Sequence, residues 1–144
     1  MPTAAALLIC LVVGISDGDT LTARCEVPRG LQTYKVRLTE IDAPEKAQPF
    51  GSRSKQALSN LCFKKPALLQ SQGTDRYGRL LARVECDGVD ANASMVYLGM
   101  AWVYDEYVID ETLYQHQEEA QADRRGLWSR NDPVPPWEWR RGGR

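Results

Sequence analysis

Ser16-Asp17-Gly18-Asp19 lies between two runs rich in apolar and β-branched residues, 7–15 and 20–26. Asp-Gly is a favoured two-residue turn between antiparallel strands, because both of its positions tolerate the positive φ that matches strand twist. The chain is therefore committed to a hairpin at its start. If Asp17-Gly18 forms the turn, residues whose numbers sum to 35 face one another, and Cys10 and Cys25 meet that condition. A cross-strand disulfide is open to them, leaving Cys62 and Cys86 as a second pair; buried free thiols are the alternative.

Tyr34-Lys35-Val36-Arg37-Leu38 alternates again and reads as a third strand. It leads into Asp42-Ala43-Pro44-Glu45, where Pro44 keeps Ala43 extended and stops the pairing, so the flanking carboxylates stand at the sheet's rim. Residues 52–62 have helical spacing, with Ala57, Leu58 and Leu61 on one face, and Pro66 ends the segment. Ala67-Leu68-Leu69-Gln70 and 80–86 read as strands flanking Asp75-Arg76-Tyr77-Gly78-Arg79. Further helices are expected over 92–98, stopping at Gly99, and over 110–125, stopping at Gly126. Three strands, a helix, two strands and then helices is the order of an α+β chain that is mainly β barrel, a five-stranded OB-type barrel with three α-helices. An α+β sandwich would show a similar order.

A chain of 144 residues suits one domain and one site. Its expected organisation is a signal-peptide remnant or the start of the first strand over 1–9, the barrel domain over 10–130, and an extended tail over 131–144. Pro133-Val134-Pro135-Pro136-Trp137-Glu138-Trp139 is expected to be non-helical and to lie along the body as a strap. The net charge of −1 provides no global field for a polyanion, but six arginines after residue 123 make the C-terminus basic. Arg140, Arg141 and Arg144 are expected to add phosphate attraction that salt screens. The cysteines lack metal-binding spacing, and the single histidine, His116, is expected to be solvated. The apolar run 4–13 is too short to span a bilayer. With two disulfides, a secreted or periplasmic domain that makes no membrane contact would follow.

Carboxylates and arginines at strand ends suggest phosphodiester chemistry. Asp19 and Asp42 are hard oxygen donors suited to Ca²⁺, and a backbone carbonyl next to Asp42 can complete the protein's share. Glu45, three residues on, is placed to orient or deprotonate water. Arg37 and Arg79 offer planar donor forks to phosphate oxygens. Glu40 has no evident role.

These motifs together resemble the thermonuclease family, the staphylococcal-nuclease-like domain, over residues 12–128. They are Asp17-Gly18-Asp19-Thr20, Arg37-Leu38 with Ile41-Asp42-Ala43-Pro44-Glu45, Asp75-Arg76-Tyr77-Gly78-Arg79, Asn92 opening a helix that ends Gly99-Met100-Ala101, and Gly126-Leu127-Trp128. The resemblance implies an OB-fold and a calcium-dependent endonuclease acting on DNA and RNA without sequence preference and leaving 3′-phosphate ends. It puts calcium at Asp19, Asp42 and the Ala43 carbonyl, catalysis at Arg37, Glu45 and Arg79, and nucleotide contacts at Arg76, Tyr77 and Tyr107. Single-stranded substrate and a monomeric protein are expected. The aromatic partner of Tyr107 falls by count on Asp105, with Tyr104 as substitute. Two rival functions are a catalytically silent nucleic-acid or protein-binding module of the same fold and a scaffold that docks a protein through its tail. The first is distinguished by loss of the arginine and carboxylate set, all of which is present here.

Overall fold

The computed structural model describes residues 6–142. Strand β1 (Leu7–Asp17) turns into β2 (Thr20–Val27), which pairs with β3 (Gly30–Leu38). Asp17 faces Thr20, so the turn is Gly18-Asp19, one step later than expected. Register shifts between Val12 and Gly14 and between Ile15 and Asp17 insert extra residues into β1. These bulges move the pairing back, and Cys10 sits opposite Cys25 after all. The two are disulfide-bonded with Cα atoms 4.0 Å apart. Residues 1–5, most of the expected signal remnant, lie outside the described residues, and β1 is already under way at Leu7.

After the two-residue β4 (Ile41–Asp42) comes helix α1 (Gly51–Cys62), then β5 (Pro66–Thr74) and β6 (Leu80–Cys86). β5 joins β1 and β6 antiparallel, and β6 closes on β3 in parallel, Val36 to Leu80 and Arg37 to Leu81. The result is a closed five-stranded barrel in the OB order. A second disulfide, Cys62 to Cys86, ties the end of α1 to the end of β6. Strict alternation of burial along β6, with Leu80, Ala82, Val84 and Cys86 inward, fills the barrel from one side. Val12, Leu21, Val36, Leu38 and Leu69 are also fully buried within this core. Each aliphatic side chain so buried contributes about 2 kcal/mol.

β7 (Val89–Asp90) extends the sheet beside β6, and α2 (Ala91–Tyr97) follows with the Asp90 side chain capping Ala93 N–H. β8 (Trp102–Val103) pairs with β4, Asp42 opposite Trp102, and α3 (Leu113–Ala122) packs on α2. α3 is shorter than the expected 110–125 because Glu111 and Thr112 form a preceding turn, closed by Leu113 N–H on the Asp110 carbonyl, and Asp123 caps the last one. A 3₁₀ turn, Gly126–Ser129, carries the buried Leu127 and Trp128.

The tail departs from expectation. Pro136–Arg140 is a fourth helix, α4, with Pro136 in its first turn, where the missing N–H would have no partner in any case. The strap does lie on the body: Trp137 stacks on Tyr104 with ring centroids 5.4 Å apart and meets Trp102 edge-on at 5.6 Å. His116 is not solvated either; it is half-buried and meets the Tyr97 ring edge-on. Among the described residues, no helix is long and apolar enough to cross a membrane.

Candidate active site

Asp19, in the β1–β2 turn, and Asp42, on β4, are both buried. Asp19 Oδ2 accepts the Ala43 N–H at 2.8 Å, and Oδ1 accepts the Thr20 hydroxyl at 3.0 Å. The turn is pressed onto α1: a Cβ at Gly18 would collide with the Ser54 side chain, so only glycine fits. One nitrogen of Arg37, Nη2, lies 3.4 Å from Asp19 Oδ2 and 3.3 Å from Asp42 Oδ1. The two carboxylates therefore converge on one point. Arg37 Nη1 donates to the carbonyls of Leu38 and Ile41. With both Nη groups engaged, Nε–H is the donor Arg37 keeps for a ligand.

Burial and the neighbouring Asp19 charge push the Asp17 carboxyl up to about 7. Burial acts on Asp19 as well, but it is outweighed by the Arg37 charge, the Asp17 carboxyl and the N–H of Ala43, which hold Asp19 below the usual carboxylate range. Below about pH 7 Asp17 thus keeps a proton while Asp19 carries the charge. Asp42 is raised by burial in spite of its guanidinium partners.

Parallel closure of β6 on β3 brings the turn of residues 75–79 beside Arg37. Asp75 accepts from the backbone N–H groups of Tyr77 and Arg79 and grips Arg79 Nε at 2.8 Å, which leaves the Arg79 Nη donors for another acceptor. Arg76 and Arg79 both lie over the exposed Tyr77 ring, at 5.0 and 5.5 Å. Glu45 follows Pro44, its N–H held by Gln48 Oε1 at 3.1 Å. Gly51 opens α1 directly beneath, and a Cβ there would strike the Glu45 carbonyl. Asp19, Arg37, Ala43, Glu45, Arg76, Tyr77, Arg79 and Tyr107 all line one cleft of about 650 Å³, and the buried Asp42 is bonded to Arg37 and Arg140 of that lining. Every expected site residue outside the cysteines is thus brought together.

Glu40 and Arg140 enter this site without having been expected to, and the aromatic position falls to the named substitute. Tyr104, rather than Asp105, meets Tyr107, edge-on at 4.8 Å; Asp105 instead accepts the Tyr114 hydroxyl. Glu40 is buried in a left-handed conformation at φ 71°. It accepts the N–H groups of Ile109 and Asp110 and pairs with Arg83, tying the Tyr107 loop to the strand junction between Arg37 and Asp42. Arg140 is not a solvated tail charge: it lies in the cleft, bonded to Asp42 and Glu45. Composition showed the tail's basicity, but no local signal marked which arginine would enter. Arg144 lies outside the described residues.

The donor set suits a hard cation. Two converging buried carboxylates with an adjacent backbone carbonyl offer oxygen ligands alone, the preference of calcium or magnesium. Among the described residues no three acidic, histidine or cysteine side chains form a ready-made cage, so a cation here would depend on Asp19, Asp42, main-chain oxygen and water.

The sequence profile described as staphylococcal nuclease homologue matches residues 35–130. The chain belongs to this family. Relatives of the family member described here include an "Uncharacterized endonuclease" of Haemophilus influenzae, 50% identical over 92% of this chain and 72% of its own length. Another, from Escherichia coli, carries the same name and is 44% identical over 90% of this chain and 82% of its own. A "Micrococcal nuclease" of Shigella flexneri is 40% identical over 92% of this chain and 80% of its own. The matched span covers the positions of Arg37, Asp42, Glu45 and Arg79, while Asp19 and the tail with Arg140 lie outside it.

Proposed function

We propose that the protein is a calcium-dependent endonuclease that hydrolyses phosphodiester bonds of DNA and RNA without sequence preference and leaves 3′-phosphate ends. The observation that carries this reading is the convergence of Asp19 and Asp42 on Arg37, with Glu45 and Arg79 in the same cleft. Calcium held by Asp19, Asp42 and the Ala43 carbonyl would supply positive charge to the non-bridging oxygens of the scissile phosphate. Arg37, through Nε, and Arg79, through its Nη pair, bind those oxygens and stabilise the charge they gain as the phosphorus becomes five-coordinate. Glu45 takes a proton from water while the water oxygen bonds to phosphorus in line with the departing 5′ oxygen. The P–O5′ bond breaks, and the 5′ oxygen takes a proton from solvent, because a guanidinium is too weak an acid at neutral pH.

Tyr77, with Arg76 beside it, borders the nucleotide's terminal phosphate, and Tyr107 with Tyr104 offers aromatic faces to a base. Bases are free to reach those faces only when unpaired, which supports a preference for single strands. Two disulfides favour a secreted or periplasmic protein, since they persist in oxidising compartments. The protein acts as a monomer in this reading, because one chain supplies every group. The test is cleavage of a labelled single-stranded oligonucleotide in calcium or in chelator, followed by end analysis. Calcium-dependent fragments bearing 3′-phosphate are expected; 5′-phosphate ends, or cleavage indifferent to chelator, would contradict the mechanism.

A further inference from the structure

The C-terminal helix ends inside the cleft. Arg140 places Nη1 3.1 Å from Asp42 Oδ1 and 2.9 Å from Glu45 Oε1, and Nη2 2.7 Å from Asp42 Oδ2 and 3.3 Å from Tyr104 Oη. It is brought there by specific packing, since Trp137, one turn earlier, is sandwiched against Tyr104 and Trp102, and Gln48 donates to the Val134 carbonyl. The tail is thus anchored at Val134 and again at Trp137 before Arg140 reaches the carboxylates.

We propose that Arg140 is a resident cation that competes with calcium for the carboxylates, so that the tail sets the protein's calcium affinity. This rests on Asp19 and Asp42 being the metal ligands. An ionised carboxylate has about four lone-pair sites. On Asp42, Oδ1 already faces Arg37 and Arg140, and Oδ2 is taken by Arg140, so a cation arriving at Asp42 must displace or share with a guanidinium. Charge points the same way. Asp19, Asp42 and Glu45 face Arg37 and Arg140 at close range, and a fixed positive charge among a cation's ligands lowers its affinity. Arg140 can leave without unfolding anything: its side chain is 39% exposed and bonded to side chains alone, whereas Arg37 is 12% exposed and bonded to two backbone carbonyls. The tail arginine is therefore the one that calcium displaces, and its release also frees Glu45 for water.

The test is calorimetric titration of calcium, without nucleic acid, into the full chain and into Arg140→Gln, Trp137→Ala and Arg141→Gln. Arg141→Gln removes an equal charge from an exposed position outside these contacts. Arg140→Gln is expected to bind calcium roughly tenfold more tightly, as for losing one partly exposed ionic competitor. Trp137→Ala, which unpins the tail while keeping Arg140, moves in the same direction, and Arg141→Gln matches wild type. Equal or weaker binding by Arg140→Gln overturns the proposal while leaving the calcium-dependent nuclease reading intact. Absence of calcium binding in every protein overturns both.

Discussion

At the scale of single residues, the site is held by groups that must be buried to be aimed. Asp17 makes this measurable. Its folded pKa is raised from 3.8 to about 7, so the native state holds a proton that the unfolded chain has released. Stability therefore falls as pH rises between those two values, and the penalty is complete above the upper one. Urea denaturation in chelator across that range should show the decline, and Asp17→Asn should flatten it. Glu40 has a different role. Glu40→Ala leaves two backbone N–H groups uncapped and strips Arg83 of a buried partner, for an expected loss of about 3 kcal/mol on urea unfolding. Neither Glu40 nor Arg140 was legible in the sequence, and for one reason: each acts on residues 36 to 98 positions away. Asp19, Arg37, Asp42, Glu45 and Arg79 were legible because their chemistry is local, written into turns and strand ends.

At the scale of elements, the hairpin register shows how a correct pairing can come from a turn misplaced by one residue. Asp-Gly signals a turn, but whether Asp17-Gly18 or Gly18-Asp19 forms it depends on packing against Ser54 of α1, which no local pattern reveals. Two bulges in β1 then compensate. A proline-rich stretch reads as non-helical, yet Pro136 stands in the first turn of the fourth helix, where N–H groups have no intrahelical partner to lose. Two predictions belong here. Gly51→Ala must push the Glu45 carbonyl aside, and it is expected to lower kcat at least tenfold through Glu45 while calorimetric calcium binding stays near wild type. Replacing Cys62 and Cys86 by alanine opens a crosslink spanning 24 residues between α1 and β6 and should cost about 3 kcal/mol on urea unfolding.

At the scale of the whole molecule, the barrel matters because its closure is parallel. β3 and β6 are distant in sequence and joined through α1 and β5, and their pairing sets Arg37 beside the turn that bears Arg79. The order of elements and the resemblance of the motifs made that architecture legible; the pairing itself was not, since alternation along a strand does not name its neighbour. A net charge of −1 provides no general attraction for a polyanion, so binding must be local to the cleft, and salt should weaken it only modestly compared with a strongly basic protein. In the proposed mechanism, carboxylates from the β1–β2 turn and β4 hold calcium while Glu45 readies water. The most direct measurement is the initial rate of single-stranded DNA digestion by wild type and Glu45→Ala, each in calcium and in chelator. Cleavage by wild type in calcium is expected, with a rate at least about a hundredfold lower for Glu45→Ala and none in chelator. Equal cleavage in all four conditions would contradict it.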